Sequence, residues 1–251
     1  MFEMRRLAKQ LIYGILYASI LWGLSYGTYF LFFKAEPSCF DRTQNQNETG
    51  VDCGGVCPAC EINVLRPIEV LSTRLFFSDG PVVLVELKNS NPSFGAVLLP
   101  YALRIFGKDG EVLAQFDDQT FIYPGELERF MIRRLPGLGG AARAEVKLGE
   151  PRWKSIEEYQ KPTMTFRGAR YYNEGSRLFA TGVLQNGDTL LFPQIFIGAQ
   201  FFNKQGVLVS VSQTEIRDVK AFEERYFQIE HPLIPDIDLG KTKLFIDAKR
   251  P

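Results

Sequence analysis

The sequence predicts a mainly β chain with one N-terminal transmembrane helix, followed by two tandem immunoglobulin-like β-sandwiches. Three observations carry this. From Leu11 to Phe33 no residue is charged. All four cysteines fall between Cys39 and Cys60. From Glu61 onward, short runs of Val, Ile, Phe, Tyr and Thr alternate with Gly, Pro, Asn and Asp, and the same order of runs occurs twice. The expected parts are a cytoplasmic N-terminus (1–10), a transmembrane helix (11–33), a cysteine-rich stalk (34–61), a first sandwich (62–150), a linker (151–162) and a second sandwich (163–251).

The helix comes first. A hydrocarbon core about 30 Å thick needs about 20 apolar residues in helical conformation. Ile12, Ile15, Leu16, Ile20, Leu21, Leu24, Phe30 and Leu31 supply bulk, and Tyr13, Tyr17, Trp22, Tyr26 and Tyr29 are amphipathic rings suited to an interface. Arg5, Arg6 and Lys9 precede the run, while Lys34 alone follows closely before Glu36. That asymmetry predicts a single-pass protein with a cytoplasmic N-terminus and extracytoplasmic C-terminal domains. The run is longer than the apolar region of a cleaved signal peptide, and Phe32-Phe33-Lys34-Ala35-Glu36 lacks a small-x-small cleavage site. A signal-anchor is therefore expected. Gly14 and Ala18 form one small-xxx-small pair within it.

The stalk carries Cys39, Cys53, Cys57 and Cys60. An even number of cysteines in a short exported stretch implies disulfides, which replace a core that so few residues cannot build. Two local bridges are expected, with all three connectivities open. Zinc is the rival reading, since Cys57-x-x-Cys60 is half of a tetrahedral thiolate site, but Cys39 and Cys53 form no second close pair. Between the cysteines, Asn45, Asn47, Thr49 and Asp52 set oxygen side chains near Gly50, and Asp41 adds a carboxylate. A calcium loop uses such an arrangement, because hard cations gather six to eight oxygens around a tight bend. The other reading of the same residues is an Asn/Gly turn held by disulfides. Asn47-Glu48-Thr49 is also an N-glycosylation triplet.

Residues 39–60 resemble a motif found in exported surface proteins, C-x-D-G-x-x-N-x-x-E-x-G-x-D-C-G-G-x-C-x-x-C, with Arg42 standing at its first glycine. The resemblance implies a surface-exposed spacer and brings no catalytic role.

The β region repeats with a period of about 96 residues. Arg74-Leu75-Phe76-Phe77 answers to Arg170-Tyr171-Tyr172, Lys88-Asn89 to Gln185-Asn186, and Phe106–Leu113 to Phe202–Val209. Glu128-Arg129-Phe130 answers to Glu224-Arg225-Tyr226, and Leu99-Pro100 lies near Phe192-Pro193, a few residues out of register. In the first copy, strands are expected over Val82–Leu87, Val97–Phe106, Val112–Thr120 and Leu127–Ile132. Lys108-Asp109-Gly110 and Lys204-Gln205-Gly206 read as hairpin turns with glycine at positive φ. Within the linker, Ser155–Gln160 reads as helical, bracketed by Pro151 and Pro162.

On Leu87-Lys88-Asn89, Phe106–Gly110 and Pro124-Gly125-Glu126, the copies resemble extracytoplasmic sandwich modules of the FxLYD and LEA14-like kind. The second copy has Lys220-Ala221-Phe222 where Pro-Gly-Glu is sought. The resemblance implies envelope or binding modules rather than catalysts.

Catalytic signatures are missing. The single histidine, His231, precedes Pro232 and reads as a surface loop residue, leaving a Ser or Cys nucleophile without a base. There is no Gly-x-Ser-x-Gly, phosphate loop, dinucleotide fingerprint or His-Glu-x-x-His; Gly137-Leu138-Gly139-Gly140 reads as a turn. With 29 basic and 29 acidic residues there is no electrostatic footprint for nucleic acid. Arg129, Arg133 and Arg134 read as an exposed strand end. No catalytic or cofactor-binding residue is expected, and no cofactor beyond the calcium of the first reading. The expected role is a non-enzymatic, membrane-anchored extracytoplasmic binding or structural module, with a protein or envelope-polymer partner. The alternative is a subunit of a larger membrane or secretion complex.

Overall fold

The computed structural model describes residues 2–32 and 38–251, with helix side chains from Lys9 onward. Phe33, Lys34 and Glu36, and the side chains of Arg5 and Arg6, lie outside the described residues. The chain divides into two compact units, Met1–Val64 and Leu65–Pro251.

In the first unit, α1 runs from Phe2 to Phe32. Its segment Lys9–Phe32 is long and apolar enough to cross a membrane, with a mean hydropathy of 1.3 and none of its side chains buried in protein. Two polar side chains in it are satisfied within the helix: Ser19 Oγ donates to the Ile15 carbonyl (2.8 Å) and Thr28 Oγ1 to that of Leu24 (2.7 Å). Trp22 stacks on Tyr26, one turn on.

The strands of the second unit pair in antiparallel ladders, and a short 3-10 turn, Leu239–Lys241, precedes the last of them. The first sandwich comprises β1 (Glu69–Phe76), β2 (Val82–Lys88), β3 (Phe94–Phe106), β4 (Val112–Ile122), β5 (Arg129–Arg134), β6 (Arg143–Leu148) and β7 (Arg152–Ser155). The second comprises β8 (Met164–Glu174), β9 (Arg177–Asn186), β10 (Phe192–Phe202), β11 (Leu208–Val219), β12 (Glu224–Pro232) and β13 (Lys243–Ala248). The sheets run β1-β2-β5 over β4-β3-β6, and β12-β9-β8 over β11-β10-β13, so both copies share one strand order. β7 adds to β3 beside β6. The expected linker is thus partly a strand of the first sandwich, and Ser155–Gln160 is not helical. It closes a single turn, with Glu158 N and Tyr159 N both donating to the Ser155 carbonyl.

Asn89 and Asn186 show why the sequence repeats. Both are fully buried at the end of β2 and β9. Asn89 Nδ2 donates to the carbonyls of Phe94 and Tyr123 at 2.7 and 2.9 Å. Asn186 Nδ2 donates to those of Leu190 and Lys220, both at 2.9 Å. Each Oδ1 accepts a backbone N–H two residues on, at 3.0 Å. One primary amide thereby ties three chain segments that no ladder can reach, and only Asn has that reach and donor count here. The hairpin glycines Gly110 and Gly206 adopt φ of 83° and 80°, as their turns require.

The structure corrects the alignment at the loop before β5 and β12. Tyr123 N donates to Glu126 Oε2 (3.0 Å) and Lys220 N to Glu223 Oε2 (2.7 Å). The counterpart of Pro124-Gly125-Glu126 is therefore Ala221-Phe222-Glu223, one residue beyond Lys220-Ala221-Phe222. The glutamate is retained. Phe222 takes the left-handed place of Gly125, with φ of 59° against 62°.

Each sandwich has its own core: Val83, Val85, Leu87, Leu99, Leu103 and Ile105 in the first, and Leu184, Phe192, Ile195, Ile197, Phe201 and Phe227 in the second. A third cluster joins them. Phe76, Val82 and Leu84, with Phe130 and Ile132, pack against Val211 and Leu208 of β11. This explains why Val82-Val83-Leu84-Val85 shows no alternation. Odd and even positions both face protein, so both are apolar.

Two outcomes test this account. Asn89→Ala or Asn186→Ala, by leaving buried carbonyls without donors, is expected to cost about 2 kcal/mol in urea denaturation followed by tryptophan fluorescence. Phe222→Gly relieves a left-handed Cβ at a side chain 65% exposed, and is expected to stabilise by about 1 kcal/mol in the same assay.

Candidate functional site

In the cysteine segment the bridges join Cys39 to Cys57 and Cys53 to Cys60, and no cysteine is free. Glu48 is the centre of the fold here, although only 6% of its surface is exposed. Its Oε2 accepts from Asn45 N and Asp52 N, both at 3.2 Å. Its Oε1 lies 3.0 Å from Cys57 Sγ, a sulfur already bonded to Cys39 and so without a proton to give. Cys39, Glu48 and Cys57 are the one set of three such side chains among the described residues close enough to share a metal. With the two sulfurs bonded to each other, that set offers no thiolate, and the zinc reading loses its ligands.

The five calcium-loop residues are spread over this segment. Asp41 and Asn45 are joined, Asn45 Nδ2 donating to Asp41 Oδ2 at 2.8 Å. That bond, then the Ser38 N–H, holds the Asp41 carboxyl below its usual range. Asp52 takes the Arg42 N–H on both carboxylate oxygens, at 2.9 and 3.0 Å. Thr49 Oγ1 lies 3.5 Å from Cys60 Sγ, and Asn47 is exposed in left-handed conformation. Asn45 Oδ1 is buried with no partner. Arg42 adopts φ of 61°, so the turn that the motif's glycine would make is present with arginine in it.

His231 is not a surface loop residue. It sits in β12, and its exposure is 0%. Nδ1 lies 2.6 Å from the Pro232 carbonyl, which fixes the proton on Nδ1 and leaves Nε2 as an acceptor for Ser210 Oγ at 2.9 Å. Ser78, from the loop after β1, reaches Ser210 Oγ at 2.5 Å and His231 Nε2 at 3.3 Å. The arrangement resembles a Ser–His pair in connectivity alone. Ser210 is itself 1% exposed, so its hydroxyl is closed to solvent. It is a polar fastening between the two sandwiches. Burial pushes the His231 imidazole below its ordinary range, against smaller opposing effects of the Pro232 carbonyl and Asp79.

A second fastening involves Arg129. It does not belong to an exposed strand end: it is 4% exposed. Its Nη2 meets Asp247 Oδ1 at 2.9 Å and Thr120 Oγ1 at 3.3 Å, and its guanidinium carbon stands 3.6 Å over the Phe121 ring. Its Nε is buried without a partner. Alongside, Tyr123 Oη donates to the Ala248 carbonyl (2.7 Å) and accepts from Arg250 N (2.8 Å), and its ring stacks on Tyr159. Burial raises the Tyr123 phenol to about 12.

Between these contacts lies a cleft of about 540 Å³. Phe130, Met164, Phe166, Leu244, Phe245 and Ile246 give it apolar walls, and Glu126, Glu128, Arg129 and Lys161 its polar groups. Lys161 Nζ bonds Glu126 Oε1 at 2.6 Å. Concave, largely apolar sites with a few convergent polar groups are where small ligands and side chains bind. No sequence motif marks this one. Its lining is drawn from three strands far apart in the chain.

No protein-family model matches the chain, and no curated protein matches it. Among solved structures, red sea bream transglutaminase is 13% identical, with a TM-score of 0.22, over 72% of this chain and 31% of that one. The N-terminal CBM22-1–CBM22-2 tandem domain of Paenibacillus barcinonensis Xyn10C is 9% identical, with a TM-score of 0.14, over 72% of this chain and 89% of that one. Similarities this low carry no argument about activity.

The buried histidine gives a signed pH dependence. Its folded pKa lies below the ordinary 6.5, so below that pH the unfolded chain binds the extra proton. Stability is full above about pH 6.5 and falls as the pH drops toward the folded value. Urea midpoints from about pH 7.5 to about pH 5.5 are expected to fall, and His231→Asn is expected to flatten that slope.

Proposed function

We propose that the chain is a non-enzymatic, membrane-anchored module whose β-sandwiches lie outside the cytoplasm and bind or space a component of the cell envelope. The observation that carries this is one apolar helix in a chain whose every cysteine is oxidised: Lys9–Phe32 suits a bilayer, and paired disulfides suit an oxidising compartment. The Arg5, Arg6 and Lys9 excess before the helix supports a cytoplasmic N-terminus. The non-enzymatic reading is supported by a lone histidine sealed away from solvent. The cysteine segment, resembling that of exported surface proteins, serves as a cross-linked spacer.

Two further readings have their own support. Asn45 Oδ1, buried without a partner beside Asp41, favours calcium at Asp41, Asn45, Asn47, Thr49 and Asp52. A cleft with apolar walls favours a subunit of a larger membrane or secretion complex, in which case the chain is expected to co-purify with a second protein at fixed ratio.

Protease added to intact spheroplasts is expected to digest the 38–251 region; digestion only after lysis would reverse the orientation. Intact mass after alkylation is expected to show no modified thiol, and native mass with calcium a shift of one ion if the loop binds it.

A further inference from the structure

The cleft beside Arg129 is built at the ends of three sheets. β5, β8 and β13 are each the last strand on one side of their sheet, and no ladder joins any of them to another. All three contribute to its lining. An edge strand carries a row of backbone N–H and C=O groups with no strand partner. Here those edges run beside apolar walls instead of open solvent.

The polar lining narrows the occupant. Glu126 and Lys161 are bonded to each other, and Arg129 to Asp247 and Thr120, so the charges of the lining are balanced and the groups left open are those of the strand edges. A simple anion would face two carboxylates, and a simple cation would face the guanidinium. A polypeptide backbone presents donors and acceptors in alternation and complements those edges.

We propose that this cleft is the docking site for an extended peptide segment of a partner protein. The segment lies along the free edges of β8 and β13 and seats alternate apolar side chains against Phe130, Met164 and Phe245. Strand addition of this kind takes affinity from main-chain hydrogen bonds and specificity from the side-chain pockets. The inference rests on the reading of the chain as a binding module and names its site and partner class.

The full chain in nanodiscs, panned against a phage-displayed random dodecapeptide library, tests it. Enriched peptides are expected to alternate apolar and polar residues. They are expected to bind the Thr165→Trp chain at least about tenfold more weakly, since Thr165 is an exposed residue of β8 at the cleft and its replacement fills the space without touching a core. N-methylation of alternate peptide amides is expected to weaken binding in one parity and spare it in the other. Hydrogen exchange is expected to slow in β8 or β13. Peptides that bind T165W undiminished, or equal loss in both N-methyl parities, overturn the cleft while leaving the binding-module reading intact. A library that yields no binder also overturns it, and the spheroplast protease result then judges the anchored-module reading separately.

Discussion

A three-stranded sheet with large apolar side chains on both faces cannot leave either face in water. In β1-β2-β5, Val83, Val85 and Leu87 point into the first sandwich, while Val82 and Leu84, with Phe76, Phe130 and Ile132, point out of it. Burial is worth about 25 cal/mol per Å² of apolar surface, so the outer face must be covered. Val211 and Leu208 of the second sandwich cover it. The other contacts between the sandwiches follow from this docking. Once the apolar patch is closed, Arg129 with Asp247, Tyr123 with Ala248, and Ser78 with Ser210 and His231 lie in surroundings from which water is largely excluded. Polar pairs there are stronger if made and costlier if broken. The apolar patch supplies the attraction and the polar pairs fix the geometry.

The two copies share a strand order but not a surface. By the ladder registers, Val82 and Leu84 of β2 occupy the places of Phe179 and Thr181 of β9. The second sheet, β12-β9-β8, carries exposed polar groups such as Gln228 and Glu230 on that face, and its aromatic side chains Tyr172 and Tyr226 are exposed. One copy is thus specialised to be covered and the other to meet solvent. This accounts for much of the divergence between repeats that otherwise retain their asparagine, hairpin-glycine and glutamate positions.

Turn chemistry made the repeat legible: Asn89 and Asn186, and Gly110 and Gly206, hold local geometry that few other residues can. Val82–Leu87 and Val97–Phe106 were legible as apolar runs, although β3 begins three residues earlier, at Phe94, where Gly95 interrupts the pattern. β7 was not, because Arg152-Trp153-Lys154-Ser155 has no alternation and takes its structure from the edge of β3. The depth of His231 carried a signal that its neighbour Pro232 obscured: Phe227, Ile229 and His231 share one parity along β12, and the first two are plainly inward. Arg129 had no local signal at all, since its partner Asp247 is far along the chain. For the same reason the cleft was invisible to any motif. In the cysteine segment the even count of closely spaced cysteines made two disulfides legible, while the pairing of the sulfurs and the burial of Glu48 depended on three-dimensional closure. Arg42 shows that a position read as needing glycine can hold another residue when Asp52 captures its N–H on both oxygens.

The placement of the apolar patch also sets an order of events during synthesis. The strands that bear Phe76, Val82, Leu84, Phe130 and Ile132 all precede β11 and β13 in the chain. A ribosome making this protein therefore exposes a complete first sandwich, with one greasy side, well before the surface that covers it exists. That interval is the hazardous one for self-association, and any factor that shields nascent chains would be needed there rather than at either core.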